Sequence, residues 1–202
     1  MTFKAFAYWA VRICFFPIYR LKVTGFSNIP SGAVLVCSNH TSMKDPVLVI
    51  LAMKLRNFPV SMAKMELFQP PWLRWILRHL DTFPIHRGKS DVGAIKYSLS
   101  ALKNGRKLLM FPEGTRVRGG DEGGAKTGAG MLALRSGAQI LPVFVSKEKK
   151  LFGTVDVIFG EPYFAVCDHK PTAKDYQAVA DGIMDKVARL EPGAGLKVPK
   201  NT

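Results

Sequence analysis

The sequence predicts a single α/β domain, a mostly parallel central sheet flanked by helices, with an N-terminal helical segment suited to a membrane interface. Three observations predict it. Short apolar runs rich in β-branched residues alternate with longer stretches of helical period, the order of βαβ units rather than of hairpins. The chain has 202 residues, 48% hydrophobic and 22% charged, which supports one real core and excludes a wholly disordered chain. Its 18 glycines and 13 prolines are dispersed and no internal repeat occurs, which excludes collagen-like and low-complexity chains.

Residues 1–22 (MTFKAFAYWAVRICFFPIYRLK) hold Tyr8, Trp9, Tyr19 and four phenylalanines. From Ala5 to Tyr19 the only charge is Arg12, and Pro17 interrupts the run. A spanning helix needs ~20 apolar residues, so this run is too short and too broken to cross a bilayer. No A-x-A-like site follows it, so a cleaved secretory signal is not expected. Aromatic rings at headgroup depth and cations over anionic lipid suit a segment lying in the interface; the plainer reading is a helix packed on its own core.

Ala33–Ser38 (AVLVCS) then reads as a buried strand, and Asp45–Leu55 as a helix with Pro46 in its first turn, where the missing N–H costs nothing. Phe58–Met62 is a short strand. Pro71–Leu80 is amphipathic, with Trp72, Trp75, Ile76 and Leu80 at helical spacing. Thr82–His86 is a strand, and Ser90–Lys103 a helix stopped by Asn104-Gly105. Lys107–Phe111 is a strand running into a Pro-Glu-Gly turn. The Gly-rich stretch Gly119–Gly130 is either a loop that moves over the site or a plain connector. A helix over Ala129–Arg135, strands over Ile140–Val145 and Thr154–Phe159, and a helix over Thr172–Leu190 complete the pattern, with a loose tail after Glu191. The expected division is an interfacial segment over 1–22, one domain over 23–191 and a flexible tail over 192–202.

Lys and Arg number 29 against 15 Asp and Glu, a net charge of +14. The excess is uneven: residues 1–120 hold 18 basic and 5 acidic residues, residues 121–202 hold 11 and 10. Such a first half favours anionic partners, namely nucleic acid, anionic lipid or phosphorylated substrates. No nucleic-acid motif is visible, and the aromatics lie in apolar runs, so nucleic acid is not expected. Cys14, Cys37 and Cys167 have no zinc-like spacing and are odd in number, which points to a reducing compartment rather than a disulfide framework. No metal-ligand set appears, and no metal or cofactor is expected.

In a parallel α/β sheet, sites lie beyond the carboxyl ends of the strands. Three polar clusters follow predicted strands there. In Ser38–Asp45 (SNHTSMKD), His40 is the candidate general base, and Asp45 could fix its tautomer and stabilise the imidazolium. On a regular helix the two would point about 140° apart, so the pair needs a turn between them. In Phe111–Arg116 (FPEGTR), Arg116 offers a planar fork for phosphate, Gly114 permits close backbone approach, and Glu113 could bind a hydroxyl or hold Arg116. In Phe83–Gly88 (FPIHRG), Arg87 is a second phosphate candidate. His79, His86 and His169 read as non-catalytic. Taken alone, the first cluster also reads as a capping segment with a solvated His, and the second as an ordinary strand-end turn with a surface ion pair.

In this order and spacing the three clusters resemble the glycerolipid acyltransferases, the family of 1-acylglycerol-3-phosphate and glycerol-3-phosphate acyltransferases. Asn39-His40-x4-Asp45 matches the family's N-H-x4-D block, and Phe111–Arg116 its F-P-E-G-T-R block letter for letter. Phe83–Arg87 looks like the intervening arginine block, with His86 a departure. Ala63–Leu67 and Ile140–Val145 look like two further blocks, so the resemblance spans roughly residues 20–165. It implies His40 and Asp45 as catalytic residues, and Asn39, Lys64, Arg87, Glu113, Gly114, Thr115 and Arg116 as substrate-binding ones. It also implies transfer of an acyl group from acyl-CoA or acyl-carrier protein to the sn-2 hydroxyl of lysophosphatidic acid, giving phosphatidic acid. Glycerol-3-phosphate or another lysolipid, including a lyso-aminolipid, are alternative acceptors. The implied place is a membrane phospholipid surface, on the cytoplasmic face of the inner or plasma membrane. An oxyanion donor is needed too, and backbone N–H groups after Thr41 are the expected source.

Other classes fit less well. A serine hydrolase on Ser38 or Ser42 lacks the G-x-S-x-G elbow. A P-loop ending in Gly88-Lys89-Ser90 would need glycine where Phe83 stands. A membrane-binding module without catalysis leaves the polar blocks unexplained.

Overall fold

The computed structural model describes residues 2–86, 91–114 and 125–193. Seven strands form one sheet in the order β1-β7-β6-β2-β5-β3-β4. They are β1 (Arg20–Thr24), β2 (Val34–Ser38), β3 (Val60–Lys64), β4 (Thr82–Ile85), β5 (Lys107–Met110), β6 (Gln139–Val145) and β7 (Thr154–Phe159). Every pairing is parallel except β6 with β7. The helices are α1 (Phe3–Phe15), α2 (Asp45–Met53), α3 (Pro71–His79), α4 (Val92–Lys103), α5 (Gly128–Ser136) and α6 (Ala173–Arg189).

Crossover handedness distributes the helices. The β2-α2-β3 and β3-α3-β4 units step one way along the sheet, whereas β4-α4-β5 and β5-α5-β6 step back. Right-handed crossovers therefore put α2 and α3 on one face and α4 and α5 on the other. The core follows this division. Leu35 and Cys37 of β2 pack with Leu102, Leu132 and Ile183 of α4, α5 and α6, while Val34 and Val36 pack with Leu48, Val49 and Met53 of α2. Alternate side chains of one strand thus enter two cores, which is why β2 reads as an uninterrupted apolar run.

Two readings shift. The strand expected over Phe58–Met62 lies at Val60–Lys64, because a 3₁₀ turn over Leu55–Asn57 and Pro59, which has no N–H to give a ladder, precede it. The segment expected to be helical as far as Lys22 is helical only to Phe15; Arg20–Thr24 is an edge strand beside β7, straddling the expected boundary at 22/23. The rest of the tail after Gly193 lies outside the described residues.

Gly130 shows how tightly the α5/α6 side is packed: a Cβ there would lie 1.9 Å from the Tyr176 carbonyl oxygen of α6. Thr172 and Asp175 form the capping box that starts α6.

Candidate active site

The carboxyl end of β2 delivers Asn39 and His40 side by side. Asn39 accepts from the Val145 N–H (2.8 Å) and donates to the Val145 carbonyl (2.9 Å), tying the β2 exit to the end of β6. The next residue, His40, is buried and stacks on Phe111 with ring centroids 4.2 Å apart.

Asp45 opens α2, and its carboxylate shapes the turn behind it. Oδ2 accepts from the Thr41 N–H (2.7 Å) and the Ser42 N–H (2.6 Å), and lies 3.0 Å from His40 Nδ1. Four residues of spacing let one carboxylate close the turn and reach back to the ring that precedes it. An ionised carboxylate only accepts, so Nδ1 carries the hydrogen and Nε2 presents its lone pair. Burial opposes ionisation of Asp45, but hydrogen bonds from His40, Lys149 and the Ser42 amide, with the Lys149 charge, outweigh it and hold the carboxyl below its ordinary range. The helix N-terminus favours the same charge state.

Lys149 is the residue that sequence reasoning missed. Its side chain is only 4% exposed, and Nζ lies 2.8 Å from Asp45 Oδ1, an ion pair that meets Oδ1 by charge. The same ammonium donates to Thr41 Oγ1 (2.9 Å) and the Ser146 carbonyl (2.6 Å). Within Lys147-Glu148-Lys149-Lys150 nothing distinguishes this lysine in sequence.

The turn after β5 supplies the opposite wall. Glu113 accepts from the His40 backbone N–H at 3.0 Å and is buried. Its pKa is pushed up to about 7, first by burial and then by the negative charge of Asp45, against the His40 N–H and the Lys147 charge. Gly114 has φ +68°, and a Cβ there would sit 2.8 Å from Lys126 Cδ. Beside this turn opens a cavity of about 390 Å³ walled by Met62, Ile85, Ile95, Met110, Phe111 and Met131, with Gly114 and Lys126 on its polar side. Phe111 thus borders both the cavity and the His40 ring.

Lys64 ends β3, half exposed, 3.1 Å from Glu66 Oε1. Arg87, Thr115 and Arg116 lie outside the described residues. His86 lines the cavity, its N–H donating to Asp91, which also caps α4. Of the N–H groups after Thr41 expected as oxyanion donors, that of Ser42 is committed to Asp45, as is the N–H of Thr41 itself. Among the described residues, one other cluster could offer ligand atoms, Cys167, His169 and Asp175. There the sulfur lies 3.7 and 3.8 Å from the two His169 ring nitrogens, aligned with neither lone pair, and Asp175 is the α6 capping residue.

A buried His–Asp pair at a parallel sheet's carboxyl edge, next to an apolar cavity, is the arrangement that comparison with known proteins decides. Residues 20–146 match the family model described as Acyltransferase. The chain belongs to the acyltransferase family. It is 31% identical over 169 residues to a chloroplastic 1-acyl-sn-glycerol-3-phosphate acyltransferase from Arabidopsis thaliana, covering 81% of this chain and 46% of that one. It is 30% identical over 180 residues to the 1-acyl-sn-glycerol-3-phosphate acyltransferase of Bacillus subtilis, covering 85% and 88%. A lyso-ornithine lipid O-acyltransferase from Pseudomonas aeruginosa is 32% identical over 145 residues, covering 69% and 52%. The chain therefore spans about half the length of some of these relatives and most of the length of the Bacillus one. The crystal structure of the 1-acyl-sn-glycerophosphate (LPA) acyltransferase PlsC from Thermotoga maritima shares the fold, with a TM-score of 0.67 at 24% identity over 93% of this chain and 82% of that one.

Proposed function

We propose that this acyltransferase moves a fatty acyl group from acyl-CoA or acyl-carrier protein to the sn-2 hydroxyl of 1-acylglycerol-3-phosphate, giving phosphatidic acid. The observation that carries the reading is the His40 Nδ1–Asp45 Oδ2 contact of 3.0 Å, which turns Nε2 into a base. Nε2 takes the proton of the acceptor hydroxyl as its oxygen bonds to the thioester carbonyl carbon. The tetrahedral adduct collapses, the C–S bond breaks, and the leaving sulfur takes the proton back from the imidazolium. The base supplies about 10²–10⁴-fold, and positioning supplies much of the remainder. The negative charge of Asp45 stabilises the imidazolium between the two proton transfers.

The cavity beside Phe111 suits an acyl chain, being lined by methionine and isoleucine side chains. Lys126 at its polar side is a phosphate ligand in this reading, together with Arg87 and Arg116, with Glu113 and Gly114 shaping the pocket and Lys64, at the end of β3, a further substrate-binding cation. Asn39 acts through its clamp on Val145. The N-terminal segment lies in the interface of a phospholipid membrane, on its cytoplasmic face, which brings the basic half of the chain to its anionic substrates. Resemblance to the lyso-ornithine lipid enzyme favours a second acceptor, a lyso-aminolipid.

Thiol release from a long-chain acyl-CoA in detergent, with and without lysophosphatidic acid, tests the reading. Release that requires lysophosphatidic acid and disappears in His40→Ala is expected. Release without acceptor would show a thioesterase, and release only with a lyso-aminolipid would reassign the acceptor.

A further inference from the structure

Two helices, with the C-cap of one, carry six of the fourteen large apolar side chains left in water among the described residues. Phe6, Trp9 and Ile13 of α1 and its C-cap Phe16 are 50–70% exposed, and on α3, Trp72 and Trp75 are 66% and 53% exposed. The spacing of Phe3, Phe6, Trp9, Ile13 and Phe16 places them on one stripe of α1. That stripe begins in contact with α3: Phe3 meets Trp75 edge-on with ring centroids 4.7 Å apart and lies 5.3 Å from His79. The two helices therefore present one continuous aromatic surface, and it holds all three tryptophans of the chain.

Charge runs with the aromatics. The sequences of α1 (FKAFAYWAVRICF) and α3 (PWLRWILRH) contain no acidic residue. Arg74 and Arg78 are exposed on α3, and Arg12 stands 5.8 Å from the Trp9 ring. The nearby Asp81 is already paired with Lys4 and Arg106. Aromatic side chains mixed with arginine, on a face without negative charge, complement an anionic headgroup layer rather than another globular surface. Neither helix crosses the layer: among the described residues no helix is long and apolar enough to span a membrane.

The geometry points to α3 as a second membrane-docking helix, which with α1 lays the α2 face of the domain onto an anionic bilayer. The inference rests on the membrane partner of the proposed function and extends it beyond the N-terminal segment. Its position suits delivery of a lipid acceptor. α1 crosses the outside of α2, where Tyr8 donates to the Leu51 carbonyl, and ends near Tyr19, which contacts Lys44 at the start of α2. The docked plane thus reaches from the start of β4 to the sheet edge that carries His40.

The test uses the full chain with vesicles of phosphatidylglycerol and phosphatidylcholine. In Trp9→Phe the remaining tryptophan signal comes from α3 alone. With vesicles it shifts to the blue and is quenched by brominated phosphatidylglycerol, whereas emission unchanged by vesicles overturns the inference. In sedimentation, Trp72→Ser/Trp75→Ser lowers vesicle affinity by about tenfold or more at unchanged circular dichroism. Arg78→Glu, which leaves the aromatic contacts and the Arg74 bonds to the Phe68 and Gln69 carbonyls in place, lowers it in a salt-sensitive manner. Loss of binding in Phe6→Ser/Trp9→Ser with full binding in both α3 variants overturns the inference and leaves the membrane reading standing. An unaltered chain that fails to bind vesicles overturns both, and concentration-dependent dimerisation through this face in place of vesicle binding does so as well.

Discussion

Among the described residues two His–Asp pairs have nearly equal length, and they differ in everything else. His40 Nδ1 lies 3.0 Å from Asp45 Oδ2, with side chains 8% and 0% exposed. His169 Nε2 lies 3.2 Å from Asp175 Oδ2, with side chains 60% and 28% exposed. In the first pair the carboxylate has a buried ammonium behind it, and the outer ring nitrogen is left to accept a proton. In the second, Nε2 is used on a carboxylate whose main work is capping α6 through the Thr172 N–H and hydroxyl. A contact distance alone does not make a base. Burial, the countercharge and the nitrogen left over decide it.

The largest effect expected from this contrast lies in the two histidines. His40→Ala lowers turnover at least about 10²–10⁴-fold in the thiol-release assay, with circular dichroism unchanged. His169→Ala stays near the unaltered rate. A His40→Ala protein retaining more than a few per cent of activity would end the general-base assignment.

The carboxylates come next. Asp45→Asn offers His40 an amide in place of a charge, loses the stabilisation of the imidazolium, and leaves Lys149 buried without its counterion. A fall in kcat of about 10²-fold or more is expected, together with a clear loss of thermal stability. Asp175→Asn weakens one helix cap, and its expected signature is a small fall in Tm at unchanged kcat. Equal kinetic effects of the two substitutions would erase the distinction drawn between the pairs.

Lys149→Met sharpens the contrast by removing the countercharge, and with it the bonds to Thr41 Oγ1 and the Ser146 carbonyl, while leaving the His40–Asp45 pair in place. Breaking a buried ion pair from one side costs about 3–5 kcal/mol when nothing else compensates. Here the Thr41 and Ser42 N–H groups and the His40 ring still face the carboxylate, so a smaller loss of about 1–3 kcal/mol is expected in a denaturant titration. A midpoint unchanged from the parent would mean that the ammonium adds nothing to the site.

The same contrast shows what could be read in advance. The strands that enter two cores were legible, because burial on both faces leaves an uninterrupted apolar run, as in Val34–Ser38. His40 and Asp45 were legible because their link is local: one carboxylate closes a four-residue turn. β1 was not, because an edge strand carrying Arg20 and Lys22 reads as polar, which is also how edge strands avoid pairing with other chains. Lys149 was hidden for a different reason. Its neighbours Lys147 and Lys150 form surface pairs with Glu191 and Glu148, so the run looks like a solvated face; only the return of the β6–β7 connection over α2 turns one of its members inward. The same long-range geometry commits Asn39 to Val145, which no local motif reveals.

The smallest expected effect is one of sign. Glu113 titrates at about 7 in the folded chain against an ordinary value of 4.5. Between those values the folded chain holds a proton that the unfolded chain has released, so this residue makes stability fall as pH rises across that window. Glu113→Gln keeps an oxygen to accept the His40 N–H but cannot ionise. Its Tm relative to the parent should therefore climb from pH 4.5 to 7 and level off above. Asp175 behaves in the opposite sense. Hydrogen bonds from Thr172, aided by His169 and against slight desolvation, pull its carboxyl down to about 2. Its contribution is complete above the ordinary carboxylate range and is lost only as pH falls toward 2, so the Asp175→Asn difference should be flat across the window in which the Glu113→Gln difference climbs. A flat Glu113→Gln difference would show that this carboxyl is not held protonated beside His40, and the polar wall of the site would have to be redrawn with a permanent negative charge.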